Sequence, residues 1–240
     1  MSLSPRRRLQ LVSLALGVTL VLAATPIAAQ ASVKNPTTKS VLKATKKALA
    51  TVTGVHIYVT STSGTQASVV VVDIGATFGE ERIVSGKSTV SIIVTPTDAY
   101  LRGSATGLTT IMGLTAAEQK KVGNRSIVMK AGTSPYESFH TNLTTAVLAS
   151  ILPVAKGTKY KVSSDKTKDY QLTWTTAATS TASATKSVMT ISSGSLTLPK
   201  KEVITGSTGG GTTTFSKWNE RVTEQPPKSA NTIPYAKVIG

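Results

Sequence analysis

Val55-His56-Ile57-Tyr58-Val59-Thr60, Val70-Val71-Val72-Asp73-Ile74 and Thr89-Val90-Ser91-Ile92-Ile93-Val94-Thr95 each carry an apolar residue at every second position. A strand points successive side chains to opposite faces, so this period of two predicts strands with one apolar and one polar face. Gly64, Gly75, Gly79, Gly86 and the pair Pro96–Thr97 punctuate the runs as turns. Five short strands in about fifty residues predict an antiparallel meander with one side to be covered.

Upstream, the period lengthens. Val41, Ala44, Ala48, Leu49 and Val52 recur at helical spacing, with Lys43, Lys46 and Lys47 mostly off the stripe. This predicts a helix over 39–53, stopped at Gly54. Downstream, Thr115-Ala116-Ala117-Glu118 reads as a capping box opening a short helix to about Lys121. Residues 127–130 suggest a strand. Leu143, Val147, Leu148, Ile151 and Leu152 predict a second helix over 142–152, ended by Pro153. Strand patterns return over 170–174, 188–192, 202–205 and 212–218, with 206–211 as a glycine-rich hairpin loop and an extended tail from Gln225. The class is α+β, and the two middle helices are expected to cover the apolar sheet face.

The chain has 240 residues, with 27 Lys plus Arg against 11 Asp plus Glu, a net charge of +16. Some of that charge is read as an export signal. Arg6, Arg7 and Arg8 precede an apolar run over 9–24, Pro26 breaks it, and Ala29-Gln30-Ala31 supplies a cleavage site. The run falls short of the roughly 20 residues that span a bilayer. A signal peptide over 1–31, removed through the general secretory route, and a single domain over 32–240 are expected.

Little catalytic chemistry is on offer. Cysteine is absent, which excludes disulfides, thiolate metal sites, thiol nucleophiles and a lipid-modified cysteine. Only two histidines are present. His56 falls at an outward strand position, and His140 is placed at a helix cap. No serine sits in a G-x-S-x-G elbow, and Asp98, Asp165 and Asp169 read as turn residues. Glu80 and Glu81 are adjacent, so they face opposite sides of a strand. Gly209-Gly210-Gly211 lacks the lysine and helix of a phosphate loop. The expectation is no enzyme, no metal and no cofactor. The lysines are dispersed and no arginine cluster alternates with aromatics, so no nucleic-acid partner is expected either. Their alternatives are plain solubility or attraction to anionic lipid headgroups and cell-wall polymers.

The order of pieces resembles the secreted lipid carriers of actinobacteria, the LppX/LprG group related to LolA/LolB. The resemblance rests on Val52-Thr53-Gly54-Val55-His56, Asp98-Ala99-Tyr100-Leu101-Arg102-Gly103, Met112-Gly113-Leu114-Thr115, Ser193-Gly194-Ser195-Leu196-Thr197-Leu198-Pro199, Phe215-Ser216-Lys217-Trp218-Asn219 and Pro226-Pro227. Two departures stand out. The lipobox cysteine of anchored members is missing, and Asn124-Arg125-Ser126 replaces a Gly-Lys-Trp pattern.

The resemblance implies a curved antiparallel half-barrel whose concave apolar face is lidded by helices. A gap between these layers is an apolar cavity lined by Ile57, Val59, Val70, Val72, Val90, Ile92, Val94, Ile111, Met112, Leu114, Leu148, Ile151 and Leu152. It implies an exported monomer that carries acylated lipid or lipoglycan, without a lipid anchor and with a basic rim near an anionic headgroup or membrane surface. The competing expectation is a structural or interaction protein of the cell envelope, whose core is closed and holds no ligand.

Overall fold

The computed structural model describes residues 36–152, 159–164, 168–177, 183–223 and 225–240. The expected signal segment and Asp165 lie outside them. The first helix, α1, spans Thr38–Leu49. Thr37 and Ser40 exchange a reciprocal cap: each backbone N–H donates to the other's hydroxyl, at 3.2 and 2.9 Å. Val41, Thr45, Ala48 and Leu49 form its buried stripe. The helix stops short of the expected Thr53, where Thr51, Val52 and Thr53 bring β-branched side chains that lose rotamer freedom in a helix. Gly54 does not cap it; it opens the first strand.

The meander forms as expected, in strands β1 (Gly54–Ser63), β2 (Gln66–Gly75), β3 (Gly79–Ser85), β4 (Ser88–Val94) and β5 (Asp98–Gly103). Helix α2 (Ala105–Met112) follows, an element that apolar periodicity does not announce. Its signals are short: Ser104 caps the start through Gly107 N–H, and Gly113 ends it at φ +67°. Then come α3 (Ala116–Val122), carrying the Thr115–Glu118 capping box, and β6 (Ser126–Lys130).

The helix expected over 142–152 is replaced by α4 (Ser134–Asn142) and a 3-10 turn, Thr145–Ser150. Pro135 starts α4, and the Thr144 hydroxyl bonds back to the His140 carbonyl at 2.8 Å where the α-helix has already ended. His140 therefore lies in the last turn of α4, stacked on Tyr136, and is not a cap before a helix.

The second half supplies β7 (Lys161–Ser164), β8 (Tyr170–Thr176), β9 (Thr185–Ile191), β10 (Pro199–Gly206) and β11 (Gly209–Ser216). The glycine triplet belongs to β11, not to a loop. A Cβ at Gly209 would lie 2.1 Å from the Thr62 carbonyl oxygen, so glycine permits the close pairing with β1. The tail is not merely extended, because it ends in β12 (Thr232–Pro234) and helix α5 (Tyr235–Ile239). Ile233 and Val238 anchor it in the core.

The twelve strands among the described residues share one sheet, ordered β12-β6-β5-β4-β3-β2-β1-β11-β10-β9-β8-β7. This overturns the curved antiparallel half-barrel. The sheet is open and not strongly curled, and its β12–β6 pair is parallel. Its edges end on strands of three and four residues, one of them closing on Pro234. Edge strands this short, one of them carrying proline, offer few backbone groups for extending the ladder towards closure.

One face of this sheet carries two apolar clusters. The first lies under α1 and the 3-10 turn, joining Val41, Ala48, Leu49 and Leu148 to Ile57, Leu172, Met189, Ile191 and Phe215. The second lies under α2 to α5, joining Leu108, Ile111, Phe139 and Val238 to Val90, Ile92, Leu101 and Ile127.

Candidate functional site

Strand register shows what lies between the two clusters. In an antiparallel pair, opposite residues share a face. One row crosses the sheet as Phe215–Ile57–Val72–Glu81–Ile92–Leu101. The next runs Met189–Glu202–Thr213–Val59–Val70–Ile83–Val90. The ends of both rows are buried, with Ile92, Leu101 and Met189 at 0% exposure. Their centres are not, since Val59, Val70, Val72, Glu81, Ile83, Glu202 and Thr213 are only half-buried. Val72 packs against both clusters. The two helical covers therefore leave a half-open apolar strip along β1, β2 and β3.

Of the thirteen residues expected to line a cavity, Val59, Val70 and Val72 form the floor of this strip. Ile57, Leu148 and Leu152 are buried in the first cluster, with Ile151 half-buried against it. Val90, Ile92, Val94, Ile111 and Leu114 are buried in the second, with Met112 half-buried against it. These residues thus divide between two packed walls and an open floor.

Apolar alternation alone does not single out the strip's polar members. Glu81 lies between Val72 and Ile92, and Glu202 lies between Thr213 and Met189. As expected, Glu80 faces the other way, paired with Asp73. Burial raises the Glu81 carboxyl above its ordinary range. Burial also raises Glu202, partly offset by a hydrogen bond with Ser187. The signal was available: a glutamate at the inward phase of an otherwise alternating strand.

Raised carboxyl pKa values have a signed consequence. The folded state binds protons more tightly than the unfolded state, so the contribution is fully present below the unfolded pKa and lost as pH rises through the folded one. Glu81→Gln and Glu202→Gln are each expected to raise the thermal midpoint at about pH 7, with the gain shrinking towards about pH 4. Calorimetry at both pH values checks this; an equal gain at both would remove burial as the cause.

Two clefts among the described residues lie on the opposite face. One, of about 310 Å³, is lined by His56, Asp73, Lys217, Glu220 and Arg221 among others. His56 Nδ1 lies 2.8 Å from Asp73 Oδ1, a pairing that alternation alone does not reveal. Ser216 stands across from His56 in register, but its hydroxyl donates to the His56 backbone oxygen at 3.5 Å. That row lacks the nucleophile-to-base bond that acyl transfer uses. The second cleft, about 350 Å³, lies where the tail crosses Ile93, Tyr100 and Arg102.

The expected turn aspartates anchor strands. Asp98 starts β5 and pairs with Lys130 at 2.7 Å, while Asp169 precedes β8 and pairs with Lys200 at 2.6 Å. No cluster of three or more metal-ligating side chains occurs among the described residues, and none of their helices is long and apolar enough to cross a membrane.

Among solved structures, the chain is distantly similar to the lipoprotein LppX of Mycobacterium tuberculosis, at 17% identity and a TM-score of 0.43, over 78% of this chain and 99% of that one. It is likewise similar to LprF from Mycobacterium bovis, at 12% identity and a TM-score of 0.41, over 79% and 96%. No family model and no curated protein matches. Both likenesses are remote; what bears on function is the geometry of the sheet.

Proposed function

We propose that this chain is an exported, non-enzymatic carrier of acylated lipid or lipoglycan in the cell envelope. One observation carries the reading. Val59, Val70, Val72 and Ile83 share a face with fully buried neighbours, yet the helical covers leave them half-open. An acyl chain laid on that floor exchanges water for apolar surface at both partners, contributing about 0.8 kcal/mol per buried CH₂. The flanking covers supply walls, the usual form of an apolar binding site.

Lys39, Lys43, Lys46 and Lys47 project from the exposed side of α1 and suit contact with an anionic membrane surface. The absence of cysteine fits a carrier with no thioether-linked lipid. In this reading residues 1–31 are a cleaved signal and the remainder works as one domain and as a monomer.

The test is organic extraction of the purified protein followed by mass spectrometry, with titration of a pyrene-labelled fatty alcohol. Co-purifying acylated lipid and saturable binding are expected. Absence of both would sink the carrier reading and leave a structural or interaction protein with a closed core.

A further inference from the structure

A carboxylate is an unusual residue for the floor of an acyl site, and here there are two. We propose that Glu81 and Glu202 make the strip selective for acyl ligands whose polar part is a hydrogen-bond donor, a hydroxyl or an ammonium, and exclude those whose polar part is a carboxylate or phosphate. This rests on the carrier reading and names the ligand chemistry of the same site.

The placement supports it. Glu81 is on β3 and Glu202 on β10, with β2, β1 and β11 between them. Four strand spacings separate them by about 19 Å along the sheet, so they border the apolar floor on both sides. Register puts Val72 and Ile92 across from Glu81, with Gly79 and Ile83 beside it on the same face; none is charged. The Glu81 carboxyl makes no hydrogen bond or ion pair among the described residues, and being half-buried it remains within reach of a ligand.

Around Glu202 the same face offers Thr213, Met189, Ile204 and the hydroxyl of Ser187. The nearby cation Lys200 is engaged with Asp169. An ionised carboxylate is acceptor-only, so its unused oxygens can be satisfied by a donor and are repelled by another anion. Burial strengthens both effects, and it pushes each glutamate towards the protonated form when nothing compensates it. A ligand hydroxyl or ammonium supplies that compensation, whereas a ligand carboxylate adds a second uncompensated charge.

The experiment compares one chain with two ends. Pyrene-labelled dodecanol and pyrene-labelled dodecanoic acid are titrated into the full-length mature protein, into Glu81→Gln, into Glu202→Gln and into the double variant. The native protein is expected to favour the alcohol by about tenfold, and the double variant to bring the two dissociation constants to within about twofold. Glutamine keeps the size of the side chain, and each single variant gives an intermediate ratio if the double one fails to fold. Equal binding of the two probes by the native protein, or a ratio untouched by any variant, overturns the selectivity while leaving the carrier reading intact. Binding of neither probe also overturns the selectivity, and together with the absence of co-purifying acylated lipid it overturns the carrier reading.

Discussion

Replacing Val72 by tryptophan is expected to abolish acyl-chain uptake while the protein stays folded. Val72 sits where the two apolar clusters meet and packs against each, yet it is only half-buried. An indole there has open strip to extend into and would occupy the floor that an acyl chain needs. At Ile92, two strands away in the same row and 0% exposed, the same change overpacks a closed core, typically costing about 1–3 kcal/mol or more. The two tryptophan variants should therefore separate: Val72→Trp loses binding with a near-native melting curve, and Ile92→Trp loses stability. Val71→Trp, on the other face of the same strand, serves as the control and should bind as the native protein does. Titration of a pyrene-labelled fatty alcohol, with circular dichroism melting on each variant, gives the answer. Uptake by Val72→Trp equal to that of the native protein would place the acyl site elsewhere.

How far sequence reading reached depends on how local each signal is. The period-two runs place β1, β2 and β4 and their inward faces correctly, because alternation is written residue by residue. The capping box at Thr115 and the stripe of α1 are equally local. What failed was non-local. Nothing in Thr232-Ile233-Pro234 says that it pairs parallel with β6, and nothing in the strand pattern says whether twelve strands curl. The apolar stripe of 142–152 correctly buries Leu148 and Leu152, but Leu148 sits in a 3-10 turn after α4 and Leu152 just beyond it. A buried stripe reports which residues go inside, and only indirectly the helix that carries them. The strip itself was half legible. Its valines follow from alternation, whereas the roles of Glu81 and Glu202 emerge only once register sets them among apolar neighbours.

The strip stays open because of how the chain crosses the sheet, and Gly79 tests that account. Between α4, which packs in the second cluster, and the 3-10 turn, which packs in the first, the chain must pass over β2 and β3. It does so at Leu143 and Thr144, lying directly on the backbone: Thr144 forms a β-bridge with Gly75, and the Leu143 carbonyl rests on Gly79. Gly79 falls in the row Val55–Ile74–Gly79–Val94, at the end of the strands away from Val59, Val70 and Ile83. The crossing thus covers that end, whereas Val59, Val70 and Ile83 at the other stay half-buried. A Cβ on Gly79 would lie 2.0 Å from the Leu143 oxygen and 2.9 Å from its carbonyl carbon, a backbone clash that no rotamer relieves. Gly79→Ala is therefore expected to cost about 2–4 kcal/mol, lowering the thermal midpoint by roughly 5–15 °C for a domain of this size. Thermal and urea unfolding of the variant measure it. A midpoint within about 2 °C of the native value would show that the crossing segment lifts freely off the sheet. In that case its packing could not be what closes one end of the strip.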